Sequence, residues 1–324
     1  MERGISKMGK YIVKRLLLMI PALIMVCIIV FILLRIVPGS AVEMMKYKLE
    51  LSGITVDEKA LMERLGYDKP WPVQFVGWIG QMLSGDLGTS LYSNTKVGGL
   101  LLSKIPVSLE LGILTLILTN LISIPLGLYC ASHQDAISDS AIRVISIVLM
   151  SIPAFWIGEL VLIYPAVWFG YAPSPQYISL FKDPLANLNM FLPPAIIGAL
   201  TQAGAQIRAV RTLTIETMRQ DYIRTAWAKG DKEKQVMYTH AFRNALIPVI
   251  TIVGGAIAML ISGSVILENL FNMPGMGQAV VSALNDRDYP VVQGCVLVFS
   301  IFTMLVNLVV DVSYKWADPR IELE

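Results

Sequence analysis

The chain has 324 residues, 55% hydrophobic and 15% charged, with 26 lysines and arginines against 24 aspartates and glutamates for a formal net charge of +2. A mean hydropathy of +0.63 over that length excludes a soluble globular domain. Three cysteines form no CxxC pair, the two histidines His133 and His240 stand alone, and no metal site, disulfide framework or nucleic-acid partner is expected.

Six runs of about 20 mainly apolar residues follow one another, each long enough to cross a bilayer. They are Leu16–Leu34, Pro106–Ala131, Ile142–Phe169, Met190–Ala209, Ala245–Leu267 and Pro290–Val312. The runs are continuous rather than alternating, which excludes a transmembrane β-barrel. Pro125, Pro153, Pro165 and Pro194 lie inside them, tolerable where neighbouring helices satisfy the freed backbone groups. The expected fold class is therefore all-α integral membrane, with one membrane domain and no fixed-period repeat.

The first run has a basic start (Lys7, Lys10, Lys14, Arg15), but its apolar core exceeds that of a cleaved signal, so a retained anchor is expected. Residues Pro38–Ile105 then form a long segment with a helix at Val73–Leu83 and a turn at Gly85–Gly88, and a small subdomain is expected there. In the third run Glu159 is the ionisable residue placed deepest, either bonded within the bundle or on a translocation path. Glu110, Arg143 and Asp311 lie nearer the span ends, where snorkelling is cheap.

After the fourth run the character changes. Between Arg208 and Arg243 eight basic residues face four acidic ones. Arg219–Lys229 reads as a helix with an apolar stripe of Tyr222, Ile223, Ala226 and Trp227; Gly230 is placed to cap it, Asp231 to start a second helix over Lys232–Phe242. The capping-box acid expected three residues later is replaced by Lys234. This apolar surface among charges suits partner docking better than a solvated loop. The fifth run carries the small-residue stretch Gly254–Ser264, including Gly255, Ser262 and Ser264, for close helix packing or for lining a pore. Beyond it a Pro274–Gly275 turn leads to a short helix, Gln278–Leu284, and out through Asp288, as a re-entrant or lid element.

The basic clusters at the N-terminus and at Arg208–Arg243 fall on one side of a six-span chain, so the positive-inside rule places both termini in the cytoplasm. HExxH, GxSxG and the GxxxxGK[ST] phosphate loop are all absent, so no enzymatic role is expected and any nucleotide chemistry must come from another polypeptide.

"RTAWAKG" followed ten residues later by "HAFRNALIPV" resembles the EAA loop of bacterial ABC importer permeases, in the variant of the dipeptide/oligopeptide/nickel family. Arg224 and Thr225 stand where the general triplet has glutamate and alanine, while Ala226 and Gly230 match. "LGYDKPWPVQFVGWIGQMLSGDLGTSL", "SIPAFWIG", "ENLFNMPGMGQ", "RDYPVVQG" and "ADPRI" are similar to further blocks of that family's first-type membrane subunit, in order along nearly the whole chain.

The resemblance implies a six-helix type I ABC importer permease, with a first segment 1–37, an extracytoplasmic subdomain 38–105, a core 106–312 and a tail 313–324. It implies a second permease subunit, two ABC ATPases carrying ATP and Mg, an extracytoplasmic binding protein and small peptides as cargo, in a bacterial plasma membrane. A coupling loop, 213–243, would dock the ATPase through Arg224, Ala226, Trp227, Lys229, Gly230, Asp231, Val236, Met237, His240 and Arg243, with Trp227, Val236 and Met237 as anchors. Glu159, Gly255, Ser262 and Ser264 are candidates for the translocation path, and Pro274, Gly275, Gly277 and Asp288 for an outer gate. Nickel, a metal chelate or an oligosaccharide is the alternative cargo, and a non-transporting scaffold or sensor the alternative class.

Overall fold

The computed structural model describes residues 2–170, 177–232, 235–236, 249, 252–257 and 265–317, and among them every extended element is a helix. Two compact units are formed, Met1–Val107 with Pro274–Met304, and Ser108–Met273 with Leu305–Glu324.

In the first unit, α1 (Glu2–Ile36) carries the apolar stretch Tyr11–Ile36 and exposes much of it, including Leu17, Met25 and Ile36. Ser40 then starts α2 (Ala41–Leu51) with a full capping box, its hydroxyl accepting from Glu43 N while the Glu43 carboxylate accepts from Ser40 N. Asp57 caps α3 (Glu58–Leu65), and Gly66 ends it in the left-handed region at φ +70°. Pro70 and Pro72 flank the start of α4 (Trp71–Leu83), where the first turn needs no N–H donors. The expected helix at Val73–Leu83 is thus present, two residues longer, and Phe31 of α1 packs on its Phe75 (5.2 Å) and Trp78 (6.3 Å). The turn that follows has Gly85 and Gly88 at positive φ, with the Asp86 carboxylate accepting from Gly88 N.

The second unit contains most of α5 (Val97–Ser132), then α6 (Ile137–Ser151), α7 (Ala154–Phe169), α8 (Pro184–Met218), α9 (Asp221–Ala228) and α10 (Val265–Leu270). The Asp183 carboxylate caps α8, which packs against α6, α7 and α10 and buries a face running from Asn187 to Thr214. At Gly204 a Cβ would stand 2.5 Å from the Ser146 carbonyl oxygen of α6, so only glycine permits this approach. The remaining helices are α11 (Met276–Asp286) and α12 (Tyr289–Ala317).

Three helical stretches among the described residues are long and apolar enough to cross a membrane: Tyr11–Ile36, Val97–Ser132 and Tyr289–Ser313. The third sequence run is not one straight helix. It reads as one span, Ile142–Phe169, but α6 and α7 meet at a bend of 85°, as a broken span or re-entrant pair. The break falls at Pro153, which disfavours helical backbone at the preceding residue; Ile152 is extended (φ −88°, ψ 123°) and α7 restarts at Ala154. The fourth run lies within α8, and most of the fifth lies outside the described residues.

Candidate functional site: the charged elbow after α8

The elbow grows directly out of α8. Only Arg219 and Gln220 separate α8 from α9, and Gln220 is extended (φ −73°, ψ 150°), so the chain turns there without a loop. Ile223 and Ala226 occupy one face of α9 and are buried against Val236, with Met218 packed alongside. This small core ties the two arms of the elbow together, so Val236 faces the elbow's own interior and is not an anchor left open for a partner. What α9 presents outward is aromatic and charged: Tyr222 and Trp227 are half exposed at 44% and 43%, with Arg224 and Lys229 beside them.

Gly230 makes the turn. Its φ of +86° lies in the region that excludes most side chains, its N–H donates to Trp227 O (3.0 Å) and Asp231 N–H donates to Ala226 O (3.3 Å). That pair of bonds is a Schellman motif, which satisfies the last carbonyls of α9. The next helical bond runs from Val236 N–H to Lys232 O (3.0 Å), so the turn reverses within a few residues. Met237, His240 and Arg243 lie outside the described residues.

Behind the elbow, α8 is cross-tied to its neighbours. Arg211 donates to both oxygens of Asp139 on α6, at 2.8 and 2.6 Å; Asp139 is fully buried and Asp135 N–H donates to it as well. Arg143 lies 3.6 Å from the same carboxylate. Gln206 donates to Asn120 of α5 at 2.8 Å. At the far end of α8, Glu110 accepts from Asn187 Nδ2 (2.6 Å) and Tyr177 OH (3.0 Å), so it is bonded inside the unit and does not snorkel. Asp139 and Arg211 are 72 residues apart, so the sequence carries no signal of their pairing; the one local signal is the i,i+4 spacing of Asp139 and Arg143.

Glu159 is exposed on α7 and has no hydrogen-bond or ion-pair partner among the described residues. A Cβ at Gly255 would meet nothing within 4 Å, whereas Ser262 and Ser264 lie outside the described residues. Gly275 precedes α11, and Gly277 is buried in its first turn. Asp288 is buried in the first unit and accepts from Ser90 Oγ (2.6 Å) and Leu91 N–H (3.3 Å). Burial pushes its carboxyl above the usual range, partly offset by those hydrogen bonds. Lys48 with Asp286 (2.6 Å) and Arg287 with Pro38 O (2.9 Å) complete a polar clasp holding α11 to the segment after α1. Among the described residues no three His, Cys, Asp or Glu side chains are grouped to hold a metal.

Comparison with known proteins agrees with this arrangement. Residues 123–323 match the family described as the binding-protein-dependent transport system inner membrane component. A Brucella abortus protein named as a peptide transport system permease is 35% identical over 98% of this chain and 100% of its own length. The oligopeptide transport system permease protein AppB of Bacillus subtilis is 34% identical over 97% of this chain and 100% of its own. A solved structure of the MetNI methionine ABC transporter, inward facing, aligns with a TM-score of 0.50 at 16% identity, covering 67% of this chain and 96% of that one. At that identity the likeness shows the fold alone, that of a type I ABC importer permease.

Proposed function

Because the chain belongs to the family of binding-protein-dependent transport system inner membrane components, we propose that it forms half of the translocation path for short peptides in an ATP-driven importer. The observation that carries the coupling role is the elbow. A glycine-capped helix continues α8, packs on its own second arm, and turns Tyr222, Trp227, Arg224 and Lys229 outward. A partner ATPase, holding ATP and Mg, would seat its cleft on that face, with Trp227 as the buried anchor and acidic rim residues against the basic ones.

Movement imposed on α9 would pass into α8 with little loss, since only two residues intervene, and from α8 to α6 through Arg211 and Asp139. Packed helices with two stable arrangements then convert a small shift at one end into a change of access at the other. The subunit itself would bind no nucleotide. Peptide cargo is supported by the names of the relatives, and an extracytoplasmic binding protein by the description of the family; a second permease subunit would complete the path. On this reading the N-terminus, the elbow and the C-terminus face the cytoplasm.

Reconstitution tests it. The chain, co-expressed with the companion permease and ATPases of its own operon, is expected to purify as one complex whose ATP hydrolysis rises when the peptide-loaded binding protein is added. A chain that purifies without ATPases, or a complex indifferent to the loaded binding protein, sinks the proposal in favour of a scaffold or sensor.

A further inference from the structure

Helix α4 has no place in that account, yet its composition is unusual for an element outside the spans. Its 13 residues, WPVQFVGWIGQML, carry no charge, are too few to cross a bilayer and include no buried residue. Val73, Val76 and Leu83 are exposed at 54%, 69% and 79%. It is held through Phe75 and Trp78 against Phe31, one turn before the end of the first span, which sets it at the level where a membrane meets water. Trp71 and Trp78 are the residue type that partitions to that level, with an apolar ring and one N–H donor. A short apolar helix so placed suits the plane of the interface.

One stripe of α4, formed by Val73, Gln74, Gly77, Trp78 and Gln81, is the wall of a cavity of about 640 Å³. The rest of the wall includes three basic residues, Arg35, Arg64 and Lys69. Arg35 is already engaged, stacked on Phe31 and donating to Gln74 Oε1 at 2.8 Å. Arg64 and Lys69 are exposed and have no ion-pair or hydrogen-bond partner for their side chains among the described residues. The one acid on the wall, Asp86, accepts from Gly88 N–H and shapes the turn. The volume is that of a small-molecule site, and its wall mixes apolar side chains (Val73, Trp78, Leu87) with polar ones and the cationic Arg64 and Lys69, beside α4.

We propose that this cavity binds the headgroup of an anionic phospholipid, with Arg64 and Lys69 on its phosphate and the acyl chains passing over Val73, Gly77 and Val76 of α4. The site goes beyond the transport reading and needs only that the chain be embedded in a membrane. It would anchor the segment after α1 to the bilayer surface.

Delipidated complex, returned to nanodiscs of equimolar phosphatidylglycerol and phosphatidylcholine, is repurified and its retained lipid counted by mass spectrometry. Phosphatidylglycerol is expected in excess. The excess should fall roughly fivefold on Arg64→Ala or Lys69→Ala and roughly 25-fold on both, the contribution expected of basic side chains at an anionic surface. Gly77→Leu keeps every charge and fills the cavity wall, where a Cβ meets no atom within 4 Å; it should remove the excess while the complex stays monodisperse. Lys59→Ala, outside the cavity, should keep it. Equal retention of the two lipids by the unaltered protein overturns the proposal and leaves the cavity to an acidic protein segment. Displacement of the lipid by millimolar inorganic phosphate, or a Gly77→Leu variant with the full excess, also overturns it.

Discussion

Asp139 offers the sharpest quantitative test of how the second unit is held. Its carboxylate is fully buried, Arg211 is only 15% exposed, and two bonds of 2.8 and 2.6 Å join them. Desolvating both charges is costly, so the pair adds little compared with apolar residues of the same size. Removing one partner, by contrast, strands a buried charge at about 3–5 kcal/mol. Asp139→Ala should therefore be severe, the more so because Arg143, 3.6 Å away, also loses its counter-charge. Taking about 2–4 °C per kcal/mol for a unit of 150–250 residues, the single variant should unfold roughly 6–20 °C below the unaltered chain. The double variant Asp139→Leu/Arg211→Met should recover most of that loss. Thermal unfolding of the purified complex in nanodiscs, followed by tryptophan fluorescence, reads both. Additive losses in the double variant, or a single variant within about 1 kcal/mol of the unaltered protein, would refute the claim that this ion pair fastens α6 to α8.

Other outcomes follow from single residues. Gly230→Ala should cost the elbow about 1–2 kcal/mol, because an L side chain pays that to hold φ near +86°. Gly230→Pro should be worse, since proline cannot reach that angle and loses the bond to Trp227 O; uptake should fall while membrane insertion, measured by fractionation, is unchanged. The clasp at Asp288 should depend on pH. With the folded carboxyl held above its ordinary value, its contribution is complete below that ordinary value of about 3.9 and lost as pH rises through the folded one. Exchange protection of residues 88–94, after correction for the intrinsic pH dependence of amide exchange, should fall as pH rises from 4, and Asp288→Asn should flatten that corrected profile. Glu159→Gln should alter uptake kinetics at normal expression; unchanged kinetics would remove Glu159 from the translocation path.

The helical, membrane-spanning character and the glycine-ended elbow were legible because both rest on local rules. Apolar runs of bilayer length leave only helices as a solution, and Gly230 is the residue a left-handed cap requires. Pro153 was visible too, but continuous hydropathy masked its effect: a window average cannot distinguish a straight span from two helices meeting at 85°. The inward turn of Val236 depends on how two arms fold back on each other, so periodicity along one helix could not show it. Asp139 with Arg211, Ser90 with Asp288, and Glu110 with Asn187 join residues 72, 198 and 77 positions apart, distances at which a single sequence carries no pairing signal.

The account turns on the outward face of α9, so the most direct measurement is uptake against ATP hydrolysis in proteoliposomes carrying Trp227→Asp. Trp227 is half exposed and outside the core of Ile223, Ala226 and Val236, so the change should leave the fold and assembly of the chain intact. The account predicts peptide uptake at least about tenfold lower, the effect of losing an anchor worth roughly 1.4 kcal/mol or more, with ATP hydrolysis no longer raised by the loaded binding protein. Uptake and stimulated hydrolysis equal to those of the unaltered complex would contradict it.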